Sequence, residues 1–234
     1  MITPIQKYKY QKNMKLNKPI RTILPLAAFA GLAVTVNAAV VITPTGVTTT
    51  GTAIDGNRTM AKTIDGSGMS GVGDILTQTH AIASGSDYYL SNTGASNITD
   101  VQYDFDLNGV GNVGSFNVGT VYLWNYAASN GTEGRGIGET DIFFSTDNGA
   151  TYSSTPVNVI FAAAANNTPI AAQTISFAAV SGVTDIRFVS DNISGAASNR
   201  SAIMEIRFGE AVPEPSTTAL LGLGGLALIL RRRR

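Results

Sequence analysis

The chain has 234 residues, no cysteine, and 16 basic against 16 acidic side chains. The absence of cysteine excludes disulfides, thiol nucleophiles and cysteine-type metal sites, and the length suits one domain that can bury a core without such links. Residues 1–38 and 231–234 hold ten of the basic side chains, whereas every acidic one lies between Asp55 and Glu214, which leaves the middle with a charge of about −10. Nucleic-acid binding requires clustered Lys and Arg, so this acidic region argues against it.

The N-terminus has the pattern of a secretory signal peptide. Six basic residues precede an apolar run over residues 23–36, and small residues follow at Ala38 and Ala39. This order predicts a signal peptide over residues 1–38, cleavage after Ala38 or Ala39, and export by the Sec machinery. The basic region is long, and a start at Met14 would give a more typical signal peptide of about 25 residues.

The region after the signal peptide has the pattern of an all-β domain. We interpret residues 39–52 as a lead-in and residues 53–210 as the domain, in which β-branched and aromatic runs alternate with Gly, Asn, Asp and Ser. About eight strands with long connections indicate a β-sandwich of the jelly-roll or Greek-key type. The predicted strands are Tyr88–Leu90, Asp100–Leu107, Gly119–Tyr126, Glu139–Ser145, Val157–Phe161, Gln173–Ala178, Asp185–Ser190 and Ala202–Phe208.

Five segments of this region, in order, resemble a discoidin or coagulation-factor-5/8 type C domain. They are TIDGSGMSG (63–71), VYLWNYAASNGTEGRGIGETDIFFSTDNGATY (121–152), FAAAANN (161–167), DIRFVSDNISG (185–195) and AIMEIRFGE (202–210). The resemblance implies a galactose-binding-like jelly roll. It indicates the ligand less well, because this fold carries many functions on its loops.

The resemblance also implies a structural calcium ion. In this family such an ion is often held by an Asp-Gly loop near the start of the domain and a Glu near its last strand, and the matching residues are Asp65 and Glu205. A carboxylate with backbone carbonyls suits a hard cation. The alternative is that Asp65 only shapes a turn and that Glu205 is a solvated strand residue.

Saccharide binding is the function that we expect, and Arg135 and Tyr126 are the candidate ligand residues. Arg135 lies in a Gly-rich loop, where a planar guanidinium can bind a sugar hydroxyl or a carboxylate; the favoured alternative is a structural ion pair with a nearby Asp or Glu. Tyr126 has the same strand parity as Trp124, the only tryptophan, which occupies a core position in the family pattern. An inert structural matrix protein is the alternative function.

The sequence gives little support for catalysis, and we predict that the protein is not an enzyme. The only histidine, His80, has no Ser or Asp motif around it, which argues against a catalytic triad. Asp104 and Asp106 alternate with core residues on what we expect to be a solvent-facing strand, so a glycosidase carboxylate pair is the least favoured alternative.

The C-terminal tail combines three features. Pro213 and Pro215 favour an extended backbone around Glu214, and residues 217–230 form an apolar run of 14 residues, shorter than the roughly 20 that span a bilayer. Four arginines end the chain: Arg231, Arg232, Arg233 and Arg234. We expect them to stay on the cytoplasmic side and stop transfer, so the run is predicted to be a transient membrane helix.

This order resembles the PEP-CTERM sorting signal. The resemblance spans residues 211–234 and implies that an exosortase, a membrane transpeptidase of Gram-negative bacteria with exopolysaccharide, recognises Pro213-Glu214-Pro215 and removes the helix. It predicts a protein held briefly at the inner membrane and then released to the cell surface or the extracellular matrix. Extracellular polysaccharide is the expected binding partner there.

Overall fold

The computed structural model describes residues 40–93, 99–109, 114–128, 134–190, 193–194 and 199–211. The predicted cleavage site at Ala38 and Ala39, the Pro213-Glu214-Pro215 triplet, the helix over residues 217–230 and the four terminal arginines lie outside these residues. Within them, no helix is long and apolar enough to cross a membrane.

The described chain folds into strands and two short 3-10 helices, Met60–Thr63 and Ile75–Thr77. The strands are β1 (Val41–Ile42), β2 (Gly46–Thr49), β3 (Thr79–His80), β4 (Tyr89–Leu90), β5 (Val101–Asp106), β6 (Phe116–Asn125), β7 (Gly136–Ile137), β8 (Glu139–Ser145), β9 (Val157–Ile160), β10 (Ile170–Ala171), β11 (Gln173–Val183), β12 (Asp185–Ser190), β13 (Ile193–Ser194) and β14 (Ala202–Glu210). All eight predicted strands are present, and six short ones are added to them.

Two sheets face each other. One has five strands in the order β2-β5-β12-β8-β9, and the other has seven, in which β11, β6, β14, β7 and β13 follow one another while β1 and β4 also pair with β14. Strand β14 therefore lies at the centre of the larger sheet. Strands β1 and β2, which fall in the predicted lead-in, contribute one strand to each sheet.

Alternating side chains fill the space between the sheets. In β5 every second residue is buried, as period-2 alternation predicts, and β12 follows the same pattern. At the centre, the rings of Phe105, Phe188 and Phe208 pack edge-on with centroids 5.3 to 6.0 Å apart. Phe208 comes from the larger sheet and the other two from the smaller one, so this trio joins both layers.

The larger sheet is buried on its outer side as well. Trp124 and Met204 belong to a second apolar cluster there, against which Met69, Ile75 and Leu76 pack from the loops and the second 3-10 helix. The Trp124 indole donates a hydrogen bond to the Gln78 carbonyl 3.1 Å away. Every residue of β14 from 202 to 209 is buried, because both of its faces are covered.

Candidate functional site

The outer face of the five-stranded sheet carries a groove. The outward residues of its strands are half-buried, in alternation with the core residues, and the turn over residues 147–153 rises beside them. The groove has a volume of about 450 Å³, within the range of small-molecule sites. Its lining residues are Gln102, Phe143, Gly149, Ala150, Thr151, Tyr152, Ser153, Arg187 and Val189.

An ion pair forms part of the groove wall. Arg187 on β12 is the direct cross-strand neighbour of Asp104 on β5, and its Nε and Nη2 donate to the two Asp104 oxygens at 2.7 and 3.0 Å. Gln102 Nε2 donates to Asp104 Oδ2 at 2.9 Å. The hydrogen bonds to Asp104 raise the pKa of Arg187. Its guanidinium is therefore always charged, and the two bonds hold it in one orientation.

Tyr152 supplies the aromatic wall. Its ring centroid lies 3.9 Å from Arg187 Cζ, a cation–π contact that holds the guanidinium and the phenol ring together. Partial burial, together with the nearby Asp104 and Asp185 carboxylates, raises the pKa of Tyr152 to about 12. The phenol is therefore neutral at physiological pH and can both donate and accept a hydrogen bond.

The rim beside Tyr152 is fixed by Asp147. Its carboxylate accepts hydrogen bonds from Thr151 N at 2.9 Å, Thr151 Oγ1 at 2.6 Å and Ser145 Oγ at 2.7 Å. The Thr151 bonds contribute most to lowering the pKa of Asp147 to about 2. A turn with these internal bonds presents Thr151, Tyr152 and Ser153 in a defined arrangement before any ligand arrives.

The predicted ligand residues Tyr126 and Arg135 lie close together at another place. The Arg135 guanidinium lies 5.9 Å from the Tyr126 ring centroid. The ring centroids of Tyr126 and Tyr88 are 5.4 Å apart, and the Arg58 guanidinium lies 5.6 Å from the Tyr88 centroid. Tyr126 is only 6 % exposed. Little of its side chain is therefore exposed, and ligand binding by Tyr126 and Arg135 stays a prediction.

The predicted calcium residues Asp65 and Glu205 are also brought together, but with cations beside them. Glu205 Oε1 forms an ion pair with Arg207, and Glu205 Oε2 accepts the Gly66 N–H at 3.2 Å. Asp65 accepts Ser67 N at 2.8 Å and Lys62 Nζ at 3.0 Å. Each carboxylate thus already has a cationic side chain beside it, Lys62 at Asp65 and Arg207 at Glu205. Such a pairing does not fit a calcium ion, which requires six to eight oxygen ligands.

Burial dominates the electrostatics of that cluster. Desolvation raises the pKa of the Glu205 carboxyl, although the Arg207 guanidinium and the Gly66 N–H oppose the shift. Partial burial also acts to raise the pKa of Asp65, but the bonds from Ser67 and Lys62 outweigh it and bring the pKa below its usual value. Among the residues that the structure describes, no three His, Asp or Glu side chains are grouped to hold a metal ion.

The remaining candidates from the sequence are placed as follows. His80 is fully buried, and its Nδ1 is 2.8 Å from the Ala81 carbonyl oxygen. Asp104, whose side chain we expected to be solvated, is bound to Arg187 instead. Trp124 is fully buried, in agreement with its predicted core position.

Residues 211–234 match the family model described as the PEP-CTERM protein-sorting motif. The tail is a PEP-CTERM sorting motif. The motif indicates export and membrane-associated sorting, in line with the resemblance in the sequence. No curated protein matches the chain.

Solved structures share the sandwich. A family-32 carbohydrate-binding module (CBM32-3) from a family 31 glycoside hydrolase of Clostridium perfringens has a TM-score of 0.50 at 15% identity, with 73% of this chain and 95% of that chain covered. The family 32 module of C. perfringens NanJ, in complex with galactose, scores 0.46 at 14% identity, with 74% and 100% covered. The F5/8 type C domain of a Bacteroides fragilis protein scores 0.45 at 13% identity, with 70% and 90% covered.

The first of these similarities establishes the fold. The chain has an all-β sandwich like that of the family-32 carbohydrate-binding modules, the galactose-binding-like architecture that the sequence predicted. At such low identity the similarity says nothing of the ligand, which must be inferred from the side chains.

Sequence reasoning missed the groove. Its wall joins β5, β12 and the turn after β8, three elements that no local motif connects. One signal was available, because the alternation in β5 and β12 places Gln102, Asp104, Arg187 and Val189 outward. Their cross-strand register, which brings Arg187 opposite Asp104, could not be obtained from periodicity alone.

Proposed function

We propose that this protein is an exported, non-catalytic saccharide-binding protein of the cell surface or matrix, and that its ligand is extracellular polysaccharide. The observation that carries the proposal is the groove on the five-stranded sheet. It combines an aromatic ring, Tyr152, with planar polar groups on Gln102 and Arg187 and with hydroxyls on Thr151 and Ser153. Sites for small polar ligands typically combine apolar walls with a few placed polar groups in this way.

The groove favours a neutral sugar chain. A pyranose ring has apolar C–H faces and polar edges. Its faces suit the Tyr152, Phe143 and Val189 side chains, and its hydroxyl edges suit the polar groups between them. Arg187 is the only cationic side chain in the lining, and its charge is compensated by Asp104. Because the domain as a whole is acidic, an anionic polysaccharide would be repelled.

A substitution that fills the groove tests this proposal. Ala150 is exposed in the groove wall, so Ala150→Trp adds bulk without removing a side-chain contact. We expect it to weaken binding to the purified exopolysaccharide of the producing bacterium, and to neutral oligosaccharides on a glycan array, at least tenfold. Calorimetry or surface plasmon resonance measures the effect.

The matched control is Ala178→Trp. Ala178 is equally exposed but lies on β11 of the other sheet. It should leave binding unchanged. If both variants bind as the unmodified protein does, the groove is not the site. If the unmodified protein binds no glycan, the protein is a structural matrix component, and release of reducing sugar would instead make it a hydrolase.

We further propose that the tail is removed after export. The support is the sorting motif at residues 211–234 together with the order of its parts: the triplet at 213–215, the apolar run and the four arginines. In this proposal the Sec machinery exports the chain, the run holds it in the inner membrane, and an exosortase cleaves near the triplet.

Intact mass spectrometry of the extracellular form tests this step. The mass should correspond to a chain that begins at residue 39 or 40 and ends near residues 213–215, with any attached group. Deletion of the exosortase gene should restore the mass of the tail. An extracellular protein that still contains Arg234 would refute processing, whatever the outcome of the binding experiment.

A further inference from the structure

A charge cluster with two buried members, Glu205 and Arg207, connects the start of the domain to its last strand. The segment that follows the first 3-10 helix contributes Asp65 and the Gly66 N–H, and β14 contributes Glu205 and Arg207. Glu205 is fully buried and Arg207 is 3 % exposed. Two charged side chains this deep inside a domain are rare and must neutralise each other.

The register of β14 explains why the two side chains meet. Glu205 lies opposite Trp124 and Arg207 opposite Tyr122 on β6, so both point to the outer side of the larger sheet, beneath the loop. Residues two apart on a strand share a face. Gly66, with φ +76°, turns the loop so that its N–H reaches Glu205.

Cationic side chains of the chain itself compensate both carboxylates of the cluster. Arg207 Nη1 pairs with Glu205 and also donates to the Ile206 carbonyl at 2.7 Å. The Lys62 ammonium pairs with Asp65. Each of the two carboxylates therefore already has a partner of opposite charge supplied by the chain itself.

We infer that Arg207 is the internal cation that compensates Glu205, that Glu205 in turn holds the Gly66 N–H of the loop against β14, and that the domain closes without a divalent metal ion. The expected calcium ion is replaced by a guanidinium. The Lys62–Asp65 pair is half-exposed and contributes little on its own, whereas the Glu205–Arg207 pair is sealed from water. Arg207 is accordingly the residue on which closure depends.

The first experiment compares the melting temperature of the unmodified protein in EDTA and in millimolar CaCl₂. The proposal expects the same value in both, because Arg207 and Lys62 already compensate the two carboxylates. A calcium-dependent rise in melting temperature would overturn it. This measurement needs no variant, so it decides even if a substitution at the cluster prevents folding.

The second experiment separates charge from packing. Arg207→Met keeps the length of the side chain but leaves Glu205 buried without a partner, and should lower the melting temperature by more than about 6 °C. Arg207→Lys keeps the charge and should recover part of the loss. The double variant Glu205→Met, Arg207→Met removes both charges and should be more stable than Arg207→Met alone.

Arg187→Met is the matched control, because Arg187 also pairs with a carboxylate but on a half-exposed surface. Its melting temperature should fall by less than about 4 °C. An Arg207→Met protein that is as stable as the Arg187→Met protein, or as stable as the Arg207→Lys protein, would show that the guanidinium charge does not fasten the loop.

Discussion

At the scale of the residue, Asn125 shows how one buried side-chain amide can bind three backbone groups at the end of a strand. It is the last residue of β6 and fully buried. Its Nδ2 donates to the Ile137 carbonyl at 2.9 Å and the Ala162 carbonyl at 3.0 Å, while Oδ1 accepts Tyr126 N at 3.0 Å. A Cβ on Gly136 would collide with this amide, which accounts for glycine there.

We predict that Asn125→Leu costs on the order of 3 kcal/mol of unfolding free energy. The substitution keeps the size of the side chain but leaves the buried Ile137 carbonyl and the buried Tyr126 N–H without the partner that the amide gave them, whereas the Ala162 carbonyl keeps its bond from Gln173. Urea denaturation measures the change. Asn158→Leu, at an exposed position on β9, should cost less than about 0.5 kcal/mol. Equal losses in the two variants would contradict the role of the Asn125 amide.

The pairing of Glu205 with Arg207 could have been predicted from the sequence. The sequence suggests Asp65 and Glu205 as calcium ligands, yet Arg207 lies only two residues beyond Glu205 and therefore shares its face of β14. A basic side chain beside a carboxylate competes with any metal ion for that carboxylate. The Gly66 N–H that binds Glu205 could not be predicted, since it depends on the path of the loop.

At the scale of the element, the long strands were predictable and the short ones were not. β5, β8 and β12 show alternation over six or seven residues, which is enough for a period of two to be recognised. β1, with two residues, has no period at all, and it is a strand only because it pairs with Phe208 and Gly209 of β14. Tertiary pairing, not local preference, defines such elements.

The strands before residue 53 are predicted to be essential. β1 adds buried Ile42 next to β14, and β2 pairs with β5 through four residues. A protein that begins at residue 53 should therefore melt at least about 10 °C below one that begins at residue 40, or lose cooperative unfolding. Circular dichroism of the two proteins measures this. Identical melting curves would mean that residues 40–52 are a dispensable lead-in.

At the scale of the whole molecule, the two sheets differ in what they leave accessible. Loops cover the outer face of the seven-stranded sheet, where Trp124 and Met204 are fully buried. The outer face of the five-stranded sheet has no such cover over its groove. The fold class followed from the strand pattern, but this difference depends on the path of the long connections, for which the sequence has no simple signal.

The position of β14 has a further consequence, which concerns timing. Four strands (β1, β4, β6 and β7) pair with β14, and Ala211 directly after it still donates to the Asn117 carbonyl at 2.6 Å. The sorting motif begins at residue 211, directly after this strand. A chain that crosses the membrane from its N-terminus therefore delivers the central strand of its larger sheet last. If the tail is removed as proposed, the cleaving enzyme acts on a domain whose last strand has only just become available for pairing.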